Sequence, residues 1–446
     1  SEAKCLMPLG MIKPYMAEIE ATLIDGQSES HKYTIFENIF RFPVRSSKVI
    51  DSKEKMNGVI FNKYWDIDPS NTIEEKFNKK KCQELVDEYL FLLEDSVRLR
   101  LHADVKVGCA LSGGLDSSAI VCLASKIRKQ QNSMDKLATI SNIYTEEDEK
   151  YCDESKYIDM IVRDMDIESF RGCPEKFEHF DLNDSGIWHL ENCYDGMRSA
   201  AQKTFSVAKD NGIKVTLDGQ GADEQLAGYL RFWYNFFYNR KRVSYEFIKS
   251  FLMNNNISLK YKTLYSLGIE SIINRHMKKI RSDDYRMSRG VISSNINLLN
   301  VNEAIRVSIN NNLKKLLRAI DSNSMTYSVE SRQPFMDYRL VNFLIKVSDV
   351  YKIFNGWTKY LARISFNDKL PYQICWRKDK MGWPVPANAL IKGESLDMMI
   401  DSIKSSEILT QLNAKRHDYY EFSQKNSRLF LRYYNMSRID KLFFSR

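Results

Sequence analysis

Six consecutive residues, Ser112-Gly113-Gly114-Leu115-Asp116-Ser117, combine the groups needed to hold a polyphosphate. Two glycines let main-chain N–H groups approach an anion with no Cβ in the way, and two serine hydroxyls add donors. Asp116 would repel a phosphate facing it, a conflict that a Mg²⁺ between them resolves. A second glycine-rich stretch, Leu217-Asp218-Gly219-Gln220-Gly221-Ala222-Asp223-Glu224, supplies another acid. If Asp223 shares the ion with Asp116, the pair makes a Mg²⁺-triphosphate clamp. The spacing is neither G-x-x-x-x-G-K-[ST] nor G-x-G-x-x-G, so the loop is neither a Walker nor a dinucleotide loop. The plainer readings are a serine-capped strand-to-helix turn and a helix start whose acids favour the dipole.

Such loops work only where the fold brings them to one edge. Val107-Gly108-Cys109-Ala110-Leu111 is a short apolar run directly before the first loop, and Ser118 to Lys126 has helical character after it. Leu137 to Ser141 reads as a second buried strand, Glu154 to Met165 as an amphipathic helix, and Ile213 to Leu217 as a third strand. Strands alternating with helices predict an α/β fold with a parallel, doubly wound sheet, whose ligands sit at the carboxyl ends of the strands. Upstream, Leu85, Val86, Tyr89, Leu92, Leu93, Val97 and Leu99 recur at helical spacing. Residues 1 to about 66 are mixed, with strand-like pieces at Thr34-Ile35-Phe36 and Val59-Ile60-Phe61. Beyond about 230 the pattern is helical and polar, with aromatic clusters at 232–238 and 419–434.

Composition narrows the class. A chain of 446 residues with 43% apolar and 12% aromatic residues can bury a substantial core. Sixty-six basic against 58 acidic residues give a net charge of +8, but the surplus is dispersed, with short runs only at Lys79-Lys80-Lys81 and Lys278-Lys279. Solvated helix faces explain that pattern, and no nucleic-acid partner is expected. The eight cysteines show no C-x-x-C pair or zinc-site spacing and read as reduced, mostly buried thiols. With no apolar leader at Ser1-Glu2-Ala3-Lys4 and no run of about 18 apolar residues, the expectation is a cytoplasmic protein without a membrane span.

The Ser-Gly-Gly-x-Asp-Ser loop resembles the pyrophosphate loop of AMP-releasing ATP pyrophosphatases. Beyond it, the chain is similar to the synthetase domain of the asparagine synthetase family, which includes β-lactam synthetases and lasso-peptide cyclases. The motifs run in order through Leu99-Arg100-Leu101-His102-Ala103-Asp104, the two glycine stretches, Ser328-Val329-Glu330-Ser331-Arg332-Gln333-Pro334-Phe335-Met336-Asp337, Asn355-Gly356-Trp357-Thr358-Lys359 and Trp376-Arg377-Lys378-Asp379-Lys380-Met381-Gly382. The resemblance implies an ATP-pyrophosphatase-type sheet with a helical C-terminal part, and a synthetase domain over 67–446. Residues 1–66 would then be a short segment resembling the end of a glutaminase domain and its linker. It further implies ATP and Mg²⁺ as cofactors: Leu111, Ser112, Gly113, Gly114, Asp116, Ser117, Ser141 and Gly219 contacting ATP, and Asp116 and Asp223 binding the metal. Lys359 and Lys380 would neutralise phosphate and acyl-transfer charge, with Glu330 a third catalytic candidate. For Glu330 the competing reading is a salt bridge to Arg332.

The expected reaction is AMP- and pyrophosphate-forming amide synthesis: adenylation of a carboxylate, aspartate by default, then attack by ammonia or another amine. Three departures bear on the amine. Cys5 is not a terminal nucleophile, so no glutaminase activity is expected and a separate glutaminase subunit is a candidate partner. Gln220 stands where relatives have a glutamate or tyrosine, and it takes no proton at neutral pH. Ile320 and Ser322 replace a family acid and arginine, leaving Asp321 and Glu330 as nearby carboxylates. Alternatives are a non-catalytic ATP-binding partner in a multisubunit amidotransferase, or a macrolactam or β-lactam cyclase using an intramolecular amine. A tRNA-modifying pyrophosphatase is a weaker fit, because the paired sulfur-transfer cysteines are lacking.

Overall fold

The computed structural model describes residues 2–25, 32–50, 60–69, 75–131, 135–147, 150–174, 184–192, 198–229, 231–238, 300–379, 391, 393–413 and 418–445. The expected runs at Val59, Lys278-Lys279 and Lys380-Met381-Gly382 lie outside these residues. Five strands form one sheet: β1 (Val107–Ala110), β2 (Ala138–Asn142), β3 (Glu168–Gly172), β4 (Val215–Leu217) and β5 (Glu330–Arg332). Their spatial order is β3-β2-β1-β4-β5, and every pairing is parallel. This is the expected doubly wound α/β sheet. The chain reverses its direction of travel across the sheet between β1 and β4, which makes their carboxyl ends the topological switch point.

Both faces of the sheet are covered. Val107, Cys109 and Leu111 share a core with α2 (Lys79–Leu101), α3 (Leu115–Gln130) and α4 (Ser155–Met165). Ala138 and Ile140 pack on the other side with Ala201, Phe205 and Ala208 of α5 (Arg198–Asp210) and Ile320 of α8 (Lys314–Thr326). Double coverage explains why β1, β2 and β4 read as apolar runs. β3 and β5 did not. They are the edges, and the sequence Glu-Ser-Phe-Arg-Gly of β3 and Glu-Ser-Arg of β5 carry partly exposed polar side chains.

α2 starts at Asn78, whose side chain accepts from the Lys81 N–H, and buries Cys82, Val86, Tyr89, Leu93 and Val97 on one stripe. α7 (Val301–Ser308) passes through a π turn at Ile309–Leu313 into α8. The helix α1 (Met16–Asp25) places Ile19 and Leu23, together with Ile35 and Phe36, in a second core with α11 (Gly393–Ser405) and α12 (Ser427–Ile439). Thr34–Phe36 forms no strand, Phe36 making a single isolated bridge to Pro14, and a two-stranded pairing joins Ser46–Ser47 to Asn62–Lys63. The seven described cysteines are free thiols, four of them buried. Among the described residues no helix is long and apolar enough to cross a membrane.

Lys352 follows the helix α9 (Tyr338–Lys346) and is fully enclosed. Its ammonium donates to Asn302 Oδ1 at 2.6 Å and to the Val347 carbonyl at 2.9 Å, while the Asn302 amide donates to the Ile345 and Val347 carbonyls, pinning α7 to the end of α9. Burial pushes this amine down to about 7. The unfolded chain therefore holds a proton that the folded state lacks between about pH 7 and 10, and stability rises with pH across that window. Urea unfolding should show wild type gaining on Lys352→Met by up to about 1.4 kcal/mol per pH unit there.

Candidate active site

Both glycine loops leave the sheet at its switch point. β1 runs into Leu111 and the Ser112–Ser117 turn, inside which α3 begins, so the positive end of that helix faces the loop. β4 runs into Asp218, and the short helix α6 (Ala222–Gln225) follows the second glycine stretch. Gly113 adopts φ +68°, and a Cβ there would come within 2.6 Å of Tyr157 Cβ on α4, so the turn needs glycine twice over. The Ser112 N–H donates to Ser117 Oγ at 3.2 Å, and the two hydroxyls lie 3.1 Å apart.

Lys359 enters from α10 (Tyr360–Phe366), at whose amino end it sits with φ +52° and a main-chain N–H bound to the Leu226 carbonyl. Its ammonium lies 2.6 Å from Asp116 Oδ2 and 2.5 Å from Asp223 Oδ1. One buried cation thus joins the two loops through the two acids assigned to a metal. Two hard carboxylates converging on one cationic point suit Mg²⁺, which takes one or two carboxylates and completes its shell with phosphate oxygens and water. No group of three or more His, Cys, Asp or Glu side chains able to hold a metal occurs among the described residues. Arg363, one turn further along α10, is pushed down to about 10 by burial and held up in part by Asp116 and Asp223, a second cation beside the pair.

Leu111, Ser112, Gly114, Asp116, Ser117, Ser141, Gly219 and Asp223 line one cleft of about 270 Å³. Gly113 shapes the turn from beneath. Ser141 Oγ is buried and has no hydrogen-bond partner among the described residues, the condition of a hydroxyl awaiting a ligand. Lys380 lies outside the described residues. Glu330 is elsewhere: it pairs with Val215 at the amino end of the strands, is exposed, and binds Arg332 Nε at 2.9 Å. Parallel register puts it at the amino end of the sheet, where the salt bridge to Arg332 forms.

Gln220 lines the cleft, whereas Ile320 is buried in the apolar layer beneath β2. Sequence reasoning missed Arg377, although its motif was recognised. Its buried guanidinium contacts Glu154 Oε1 at 2.5 Å and Asp379 Oδ1 at 3.0 Å, lies 3.8 Å from the Tyr157 ring centroid, and donates to the Gly113 carbonyl at 3.4 Å. Tyr157 completes the clasp by donating to Asp379 at 2.8 Å. Gly228 was missed too: a Cβ there would stand 2.1 Å from Asp223 Oδ1 and 2.3 Å from Lys359 Cε. Gly228→Ala should therefore cost about 1–3 kcal/mol in urea unfolding, because the Asp223–Lys359 pair must shift to admit the Cβ.

Asp218 was quoted in the motif without a role. It lies at the end of β4, buried, with its carboxylate accepting from the Gly219 and Gln220 N–H groups; burial outweighs these bonds and pushes it up to about 6. The folded state thus keeps a proton that the unfolded chain releases between about pH 4 and 6, so stability falls as pH rises through that window. Asp218→Asn should raise stability by up to about 3 kcal/mol at neutral pH, with the gain vanishing below about pH 4, as read by urea unfolding at both values.

A family profile described as asparagine synthase matches residues 88–440. Asparagine synthetase [glutamine-hydrolyzing] 1 of Bacillus subtilis is 26% identical over 354 residues, covering 72% of this chain and 53% of the relative. Putative asparagine synthetase [glutamine-hydrolyzing] 2 of Methanocaldococcus jannaschii is 28% identical over 198 residues, 44% of this chain and 35% of the relative. Amidase chyE of Penicillium rubens is 27% identical over 183 residues, 37% and 25% respectively. The matched region thus spans about half of the Bacillus relative's length and less of the other two. With its switch-point loops and most of its length matched, this chain belongs to the asparagine synthase family.

Proposed function

We propose that this chain is an ATP-dependent carboxylate–amine ligase that forms AMP and pyrophosphate. The observation that carries the reading is Lys359, held between Asp116 and Asp223 at the mouth of the phosphate loop. The Ser112–Ser117 turn and the start of α3 receive the phosphates, Ser141 and Gly219 border the nucleoside, and Asp116 and Asp223 hold Mg²⁺. The ion supplies charge neutralisation on the polyphosphate. A carboxylate oxygen attacks the α-phosphorus, an O–P bond forms, and pyrophosphate leaves with the electron pair of the broken bond. No proton moves in this half, so it needs no base at Gln220 or Ile320.

Negative charge gathers on the departing pyrophosphate, and Lys359 and Lys380 stabilise it as fixed cations. Glu330 has no part. The acyl adenylate is then taken by an amine, with aspartate the default carboxylate and ammonia, free or from a separate glutaminase subunit, the default acceptor. The names of the Bacillus and Methanocaldococcus relatives support this choice.

The test is exchange of radiolabelled pyrophosphate into ATP with Mg²⁺ and a panel of carboxylates headed by aspartate. Carboxylate-dependent exchange is expected, falling about 100-fold or more in Asp116→Ala. Silence across the panel overturns the reading.

A further inference from the structure

An amine that attacks an acyl adenylate must lose a proton as the C–N bond forms, and neither Gln220 nor Ile320 takes one. Among the described residues, the carboxylates lining the cleft are Asp116, Glu154, Asp218 and Asp223. Asp116 and Asp223 are engaged by the Lys359 ammonium, and Glu154 by the buried Arg377 guanidinium, so each already has a cation at contact. Asp218 differs. Its carboxylate is fixed by the Gly219 and Gln220 main-chain N–H groups, it stands next but one to Gln220, and it opens on the same cleft as the phosphate loop and Leu316 of α8.

We propose that Asp218 is the base of the second half-reaction, receiving the proton of the attacking amine. The inference rests on the adenylation reading above. The nitrogen lone pair attacks the acyl carbon and the C–N bond forms. The proton on that nitrogen passes to an Asp218 carboxylate oxygen, the acyl C–O bond breaks, and AMP leaves with its electron pair. The buried position of Asp218 raises its proton affinity toward neutrality, where a general base is most effective.

The experiment compares wild type with Asp218→Asn, using aspartate or whichever carboxylate supports wild-type exchange, and two nucleophiles. Both nucleophiles shed a proton as the C–N bond forms, but the adduct of hydroxylamine, a much weaker base than ammonia, gives it up to water more readily and depends less on a protein base. Asp218→Asn should keep pyrophosphate exchange within about threefold, lose about 100-fold or more of ammonium-dependent amide formation, and retain hydroxamate formation within about tenfold. Unimpaired amide formation overturns the inference. So does loss of exchange, which would place Asp218 in the ATP half, and so does equal loss with both nucleophiles, which would make its role positional. Wild type without any exchange would overturn the adenylation reading and this inference together, an outcome distinct from a change confined to the variant.

Discussion

Lys359, Asp116 and Asp223 bring three formal charges into contact where little water reaches, and ions in such a place are several kcal/mol less stable than in solvent unless their partners are held at contact. That condition dictates much of the surrounding architecture. The two carboxylates come from loops far apart in sequence, so β1 and β4 must be neighbours. The lysine must arrive at the start of a helix, so α10 must be anchored, and its first N–H is tied to Leu226 beside α6. Gly228 must lack a side chain because the pair occupies the space that a Cβ would fill. Breaking one partner would leave an unbalanced charge in the sheet's carboxyl-end crevice.

The remaining acids of the cleft show how partners divide one residue type into different tasks. Glu154 is locked to Arg377, and through that guanidinium it braces the Gly113 turn against α4. Asp218 is bound by neutral N–H groups, which favour the carboxylate less strongly than a cation does, so burial prevails and its proton affinity rises. A cleft that distributes its carboxylates in this way can hold a cation at one wall and exchange a proton at another.

Support for the site comes from packing at a distance. α1 and α12 close a second core, with Arg432 donating to the Leu23 and Ile24 carbonyls at the end of α1. A third cluster gathers Trp233, Ile305 and Val341 around the helices that carry α8 toward the cleft. The π turn in α7–α8 belongs to this layer, and Leu316 from α8 forms one wall of the cleft.

By itself the sequence determined the elements whose chemistry is local. Strands buried on both faces show as apolar runs, which made β1, β2 and β4 legible, and a loop whose backbone must approach an anion needs glycine, which made both phosphate-side loops legible. β3 and β5 escaped because an edge strand need not be apolar. Only the tertiary structure decided which charged groups meet. Strand register, not spacing along the chain, puts Glu330 at the amino end of the sheet, beside Arg332. Asp218 and Arg377 stood within recognised motifs without roles, since burial and partner identity set a carboxylate's proton affinity or a guanidinium's task. Those depend on what the folded chain brings within a few ångströms, a distance that sequence separation does not encode.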